Sequence, residues 1–209
     1  GIAVCYAASA LGTYPIILFG SDKQKEKYLP DLAAGRKLAA FGLTEPNAGS
    51  DAGAIATTAV KTADGNHYIL NGTKCFITNG GEASIYTVVA ITDKSKGARG
   101  ASCFIVEKGT PGFTFGKKEK KMGIRASATT ELIFQDCKIP KENLLGREGF
   151  GFIVAMKTFD KSRPGVAAQA VGIAQGALDI ALKTSMEREQ FGKPVSSFQG
   201  LQFMLADMA

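Results

Sequence analysis

The spacing of apolar positions along the chain changes twice, and each change predicts a different kind of element. Residues 1 to about 38 read as helix. Ser21 or Asp22 can cap a helix running through Lys27 and Leu29, and Pro30 is expected to break it before a short piece that ends near Gly35. From about residue 39 to 146 short β-rich runs alternate with turn residues. Tyr68-Ile69-Leu70 and Cys75-Phe76-Ile77 flank Asn71-Gly72, which reads as a hairpin because both turn positions favour positive φ. Further strands are expected at Ile85–Thr92, Ser102–Glu107 and Glu131–Gln135, divided by loops such as Lys94–Gly100 and Gly109–Gly112. No helix-length pattern interrupts this stretch, so its sheets should be largely antiparallel, as a sandwich or flattened barrel.

The helical period returns after Gly149. One helix is expected over Phe150 to Phe159. A second should begin near Asp160–Ser162 with Pro164 in its first turn, and Val166, Ala170, Ile173, Ala177 and Ile180 then share one face. A break at Phe191-Gly192-Lys193-Pro194 precedes a third helix from Ser196 or Ser197. The pattern thus divides the chain into helical, β and helical parts at 1–38, 39–146 and 147–209.

Bulk properties narrow the classes. With 209 residues, 45% of them apolar and 21% charged, the chain has the mix of a soluble protein with one or two real cores. No stretch reads as a membrane span; the nearest, Val166–Leu182, carries Gln169, Gln175 and Asp179. The first residues lack an initiator Met and a basic region, and Leu205–Ala209 stops inside a helical pattern, so both ends read as cut. Cys5, Cys75, Cys103 and Cys137 have no metal spacing and read as free, mostly buried thiols of a reducing compartment. His67 is the one histidine, which leaves no second imidazole for a metal site or a Ser-His-Asp triad. The net charge of +6 owes much to Lys117, Lys118, Lys120, Lys121 and Arg125. That run is short and has no interleaved aromatics, so it reads as a solvated face or the partner of a phosphate-bearing small ligand rather than of nucleic acid.

Three segments can carry chemistry, and each also has a purely structural reading. Phe41-Gly-Leu-Thr-Glu-Pro-Asn-Ala-Gly-Ser-Asp51 leaves a strand into a loop that can turn several N–H groups toward an anionic ligand, or can simply connect strands. Cys75-Phe-Ile-Thr-Asn-Gly-Gly81 offers an aromatic wall and a hydroxyl for a planar ring, or a core Phe and a turn. Arg188-Glu-Gln-Phe-Gly-Lys-Pro194 offers a guanidinium fork for a pyrophosphate, or a solvated Arg at a helix end.

Taken together, Thr44-Glu-Pro-x-x-Gly-Ser-Asp51, Phe76-Ile-Thr-Asn-Gly80, Met122-Gly-Ile-Arg-Ala-Ser127, Asp160-x-x-Arg163 and Arg188-x-x-Phe-Gly-Lys193 resemble the acyl-CoA dehydrogenase family over essentially the whole chain. The resemblance implies a multidomain α+β fold, with the end of a helical N-terminal domain at 1–38, an antiparallel β middle domain at 39–146 and the start of a helical-bundle C-terminal domain at 147–209, and it implies FAD as cofactor and an acyl-CoA as substrate. It implies an electron-transfer flavoprotein as electron acceptor and a homo-oligomer, a tetramer. Phe41, Leu43, Thr44, Gly49 and Ser50 look like the flavin loop, and Phe76, Ile77 and Thr78 like the contact to the isoalloxazine ring. Family members often carry Trp in place of Phe76, and Phe occurs in the bacterial short-chain branch. Arg188, Phe191 and Gln199 resemble residues that reach the FAD of a neighbouring subunit; Ser50, Asp160 and Arg163 resemble acyl-CoA contacts. The loop Lys94-Ser-Lys96-Gly-Ala-Arg99 reads either as a partner of the CoA ribose phosphate or as an exposed hairpin tip.

The reaction implied needs a carboxylate base. In a minority of the family it directly precedes the Arg of Asp-x-x-Arg, and here that position is Ser162. In most of the family the base is a Glu in the C-terminal segment; Glu45, Asp51, Asp160, Glu187 and Glu189 fit loop, cap or surface roles, so the resemblance implies a Glu base beyond Ala209 and no catalytic residue within the chain. Ser162 and Phe76 lean toward short to medium straight acyl chains. A bacterial cytoplasm, or a mitochondrial matrix in a eukaryote, is the expected location. The alternatives are an acyl-CoA oxidase or other flavin oxidase of the same fold, and a non-catalytic paralogue.

Overall fold

The computed structural model describes residues 2–209. The chain forms α1 (Ile2–Phe19), α2 (Asp22–Ala33), β1 (Ala39–Gly42), β2 (Thr58–Lys61), β3 (His67–Thr78), β4 (Ile85–Ile91), β5 (Ala101–Glu107), β6 (Phe113–Phe115), β7 (Thr129–Pro140), β8 (Leu144–Leu145), α3 (Gly151–Glu187), β9 (Glu189–Gln190), β10 (Lys193–Pro194) and α4 (Gln199–Met208). One compact unit ends at Ser162, and a second runs from Arg163 to Ala209.

The first unit is built on a sheet of order β6-β7-β3-β2-β4-β5-β8, with β1 paired to β4. Its pairs are antiparallel except β1 with β4 and β2 with β4. The expected α+β organisation is therefore present. β4 reads Ile-Tyr-Thr-Val-Val-Ala-Ile without polar alternation because both of its faces are buried. Ile85, Val89 and Ile91 face a layer that includes Ile16, Tyr28 and Val154, whereas Tyr86, Val88 and Ala90 join Leu70, Phe104 and Phe134. Strand β3 closes over β5 through the Tyr68 and Phe104 rings, whose centroids lie 4.9 Å apart. Helix α1 lies directly on β1: a Cβ at Gly12 would stand 2.6 Å from the Ala40 nitrogen.

Several local expectations are corrected. Asn71-Gly72 is not a hairpin turn; it lies inside the continuous strand β3 as a bulge. Only Gly72 has positive φ, at 146°, so the two left-handed residues of a type I′ turn are missing. The ladder skips from Leu70↔Cys137 to Gly72↔Phe134. The Asn71 side chain fills the gap, accepting the Asp136 N–H at 2.8 Å and donating to the Asp136 carboxylate at 3.1 Å. A Cβ on Gly72 would meet Thr57 Oγ1 at 2.5 Å. The hairpin before β3 turns instead at Thr62–His67, where Asp64 accepts the Asn66 N–H at 3.0 Å.

Pro30 does not break α2. The helix, capped by a Ser21–Gln24 capping box, loses one donor there and continues, with Ala34 N–H donating to Pro30 O at 3.1 Å. Likewise α3 runs unbroken through Asp160–Pro164 where two helices were expected, although Pro164 removes one N–H and its ring crowds the Asp160 carbonyl. The expected break at Phe191–Pro194 is a two-strand hairpin. Phe191 (φ 55°) and Gly192 (φ 72°) supply its left-handed turn between β9 and β10. A short 3-10 turn at Val195–Ser197 precedes α4, which starts at Gln199 rather than at Ser196 or Ser197.

Helices α1 and α3 are also long and apolar enough to cross a membrane by length and composition, contrary to the sequence reading. Their composition reflects apolar rows that the described residues leave exposed: Tyr6 and Ile17 on α1, and Val166, Ile173 and Ile180 on α3. The cysteines are free, and Cys75, Cys103 and Cys137 are buried. Burial pushes the Cys103 thiol up to about 12 and that of Cys137 up to about 11, which leaves both inert.

Candidate functional site

Of the residues singled out from sequence, the first unit brings two segments side by side. Phe41 lies in β1 next to its last residue and is buried, with its ring edge-on to Phe159 at 5.7 Å. Leu43 is buried and Thr44 half-buried; Gly49 and Ser50 are exposed on the loop that follows. Cys75 N–H donates to Thr44 O at 2.9 Å, so the Leu43–Glu45 stretch is fastened to β3 just before Phe76.

Between Lys74↔Leu132 and Ile77↔Thr130 the β3–β7 ladder carries a second register shift. Phe76 occupies it with φ 57° and is 66% exposed, while Ile77 is buried. A bulge re-aims a side chain, and this one turns a large aromatic ring outward beside the Thr44 loop. Thr78 is half-buried, and its hydroxyl has no hydrogen-bond partner among the described residues. An outward ring face with a hydroxyl two residues on suits a planar heterocycle with polar edges, so these residues fit a flavin. Below them Asn79 (φ 63°) is buried and donates to Cys5 O at 2.9 Å and Ala39 O at 3.2 Å, which ties the end of β3 to α1 and β1.

The ion pair under this junction was not legible from sequence. Lys74 is 0% exposed and donates to Glu45 at 2.6 Å and to Leu43 O at 3.1 Å. Glu45 also accepts the Ala56 N–H at 2.6 Å and the Thr57 N–H at 3.0 Å. Burial pushes the Glu45 carboxyl up, but the Lys74 ammonium and the N–H donors outweigh it and hold the value below the ordinary range. Glu45 is thus a buried, fully engaged loop residue. A lysine directly before the run Cys75-Phe76-Ile77 was the available signal, because a lysine buried in a strand requires a carboxylate partner.

The remaining candidates lie elsewhere. Asp160 is exposed on α3, with Lys157 Nζ 3.8 Å away, and Ser162 donates to Phe159 O at 3.2 Å. In the second unit Arg163 is exposed on α3. Arg188 is exposed at the end of α3, its carbonyl accepting Val195 N–H at 2.8 Å. Phe191 is 92% exposed at the tip of the β9–β10 hairpin, 6.0 Å from the Phe198 ring, and exposed Gln199 begins α4. Arg188 thus precedes the β9–β10 hairpin, Phe191 stands in its turn, and Gln199 follows it at the start of α4.

The Lys94–Gly100 loop forms a 3-10 segment. Lys96 and Arg99 line a pocket with Arg147 and Phe150, and the Arg147 guanidinium stacks 3.8 Å from the Phe150 ring centroid. Asp93 clips the loop: it pairs with Lys96 at 2.8 Å and accepts the Ser95 N–H at 3.0 Å. The Lys96 bond and then those of Ser95 lower its carboxyl to about 2. Because the folded value is depressed below the ordinary 3.8, the clip stabilises the protein above that value and is lost as pH falls through about 2. The stability gap between the parent and Asp93→Asn, followed by chemical unfolding, should hold constant above about pH 5 and close toward pH 2. A gap that remains open at the acid end rejects the clip.

The basic run separates into local contacts. Lys118 pairs with Glu82 at 2.9 Å, Lys121 donates to Ser127 O at 2.6 Å and Arg125 to Lys121 O at 3.2 Å, while Met122 is exposed.

Comparison with known proteins agrees with this arrangement. Residues 1–36, 40–137 and 149–209 match the models for the N-terminal, middle and C-terminal domains of acyl-CoA dehydrogenase. The chain is 57% identical over 194 residues to the acryloyl-CoA reductase (NADH) of Anaerotignum propionicum, covering 93% of this chain and 49% of that one. It superposes on the structure of butyryl-CoA dehydrogenase from Megasphaera elsdenii with a TM-score of 0.96 and 58% identity, covering 99% of this chain and 54% of the other. A chain in a structure described as the electron transferring flavoprotein of Acidaminococcus fermentans gives a TM-score of 0.94 and 59% identity, covering 98% and 53%. The chain spans about half the length of the curated relatives it matches. With its motifs in order, its bulge-mounted aromatic beside the Thr44 loop and all three domain models matched, the chain belongs to the acyl-CoA dehydrogenase family.

Proposed function

We propose that the protein is an FAD-dependent dehydrogenase of short-chain acyl-CoA thioesters, forming trans-2-enoyl-CoA and passing electrons to an electron-transfer flavoprotein. The observation that carries this reading is the junction of Thr44 with the Phe76 bulge, which offers a ring wall and a free hydroxyl at one place. The family relatives favour a short acyl chain, since one is a butyryl-CoA dehydrogenase. The acryloyl-CoA reductase is named for the reverse conversion of a short-chain thioester. The flavoprotein structure supports the electron-transfer partner.

In this reading Phe41, Leu43, Thr44, Gly49 and Ser50 hold the cofactor arm, and Phe76, Ile77 and Thr78 hold the ring. Arg188, Phe191 and Gln199 reach the FAD of a neighbouring copy in a homotetramer, with Arg188 on the diphosphate. The exposed apolar rows on α1 and α3 serve packing within that assembly and not a membrane span. Ser50, Asp160 and Arg163 contact the acyl-CoA, and Lys96 and Arg99 face its phosphate end. When bound, the flavin supplies the acceptor for the β-hydride. Hydrogen bonds to the thioester carbonyl acidify the α-proton, and the apolar Phe41–Phe159 floor keeps water from the ring side. Glu45 is excluded as the base because Lys74 and two N–H groups occupy it, and the carboxylate base is a Glu outside residues 1–209. Residues 1–38, 39–146 and 147–209 are read as three domains. The protein works in the cytoplasm, as a bacterial enzyme, without a nucleic-acid partner.

The test is made on the intact protein. It should purify with FAD and reduce an artificial acceptor with butyryl-CoA in preference to octanoyl- or palmitoyl-CoA. Arg188→Ala should weaken flavin retention roughly tenfold or more, the scale of losing hydrogen bonds to a charged group. Unchanged retention rejects the Arg188 assignment, rapid oxygen consumption by the reduced protein marks an oxidase, and absence of bound FAD rejects the whole reading.

A further inference from the structure

We propose that the buried Lys74–Glu45 ion pair is the positioning device of the site: it fixes the Leu43–Thr44 segment against the Phe76–Thr78 bulge. The proposal rests on reading those two segments as the flavin contact.

The geometry is specific. Three of the pair's bonds go to main-chain groups, namely the Leu43 carbonyl and the Ala56 and Thr57 N–H groups. These groups lie at the two ends of the connection between β1 and β2, which contains the Thr44–Asp51 loop. The pair therefore gauges where the loop leaves β1 and where it returns toward β2. Lys74 itself is the last residue of β3 in register before the bulge that turns Phe76 outward. Its neighbour Cys75 carries the only main-chain bond from β3 to this loop among the described residues, to Thr44 O at 2.9 Å. The Glu45–Ala48 turn, closed by reciprocal bonds of 3.0 Å, keeps Glu45 oriented toward the lysine.

Stability alone is a poor reason for such a pair. Two charges removed from water give little net stabilisation compared with apolar residues of the same size. Charges that each read several main-chain groups do restrict which arrangement of loop and bulge is allowed, because any slip leaves a buried charge with unmet bonds. Neither side chain is exposed enough to touch a ligand: Glu45 is 6% and Lys74 0% exposed. Both are positioning residues rather than catalytic ones, and Phe76 and Thr78 act as the parts they set.

The experiment uses the intact FAD-loaded protein and the double variant Glu45→Gln/Lys74→Met, which removes both charges together. Glu45→Asp alone, which keeps both charges but shortens the reach to the Ala56 and Thr57 N–H groups, is the second variant and is read by the same measurements where the double variant does not fold. A third, Leu70→Ala, lies in the second core, outside the ion pair and its hydrogen bonds, and lowers stability. Below the melting range of every variant, the charge-free pair should change the visible circular dichroism of the bound flavin and release it about tenfold faster. Leu70→Ala should do neither. Hydrogen exchange at the amides of Ala56, Thr57 and Cys75 should accelerate in the charge-free variant and not in Leu70→Ala.

A charge-free variant with the parent's flavin spectrum, release rate and amide protection overturns the proposal. So does a Leu70→Ala variant that shifts all of them equally. A parent that holds no flavin overturns the reading of the site instead, and the amide measurement then still decides whether the pair fixes the two segments.

Discussion

Lys74→Ala should cost the intact protein roughly 3–5 kcal/mol, because it strands a buried carboxylate without its counter-ion. Glu45 would keep only the Ala56 and Thr57 N–H groups, and the lysine chain, 0% exposed, would leave its space inside the protein. Urea unfolding of parent and variant measures the loss, and a change below about 1 kcal/mol would show that the pair contributes little. The dependence on pH has a fixed sign. The folded Glu45 carboxyl lies below its ordinary value, so its contribution is present above the usual carboxylate range and is lost as pH falls through the folded value. Acid should therefore narrow the gap between parent and variant.

Gly12→Val should be comparably severe, at about 3 kcal/mol or more, because it forces α1 off the sheet. A Cβ at this position would lie 2.6 Å from the Ala40 nitrogen and 2.7 Å from its carbonyl carbon and oxygen. Those atoms belong to the backbone of β1 and cannot rotate away as a side chain would. Moving the helix would also break the Thr87 hydroxyl bond to Gly12 O at 3.2 Å and the Asn79 bond to Cys5 O. Since Asn79 closes the Phe76–Thr78 segment, the damage should reach the candidate site. Thermal unfolding tests the first claim, and flavin retention by the surviving folded fraction tests the second. A variant with the parent's melting temperature would mean that α1 can shift without loss.

Sequence by itself determined the elements whose information is local. The apolar runs of β4 and β5, the Ser21 cap, the helical period after Gly149 and the family motifs were all readable, because patterning and hydrogen-bond chemistry within a few residues decide them. The α+β organisation followed from the order of those runs. What only the tertiary structure decided were features in which distant groups compete for the same backbone. Asn71-Gly72 has the local chemistry of a turn, yet pairing with β7 and the reciprocal bonds to Asp136 make it a bulge. Pro30 and Pro164 have the local chemistry of helix ends, yet the helices continue through both. Lys74 and Glu45 are separated by a whole strand in sequence and meet only because β3 runs beside the Thr44 loop. A long-range pair of this kind leaves no periodic trace, so the fold alone reveals the buried ion pair beside the loop and the bulge.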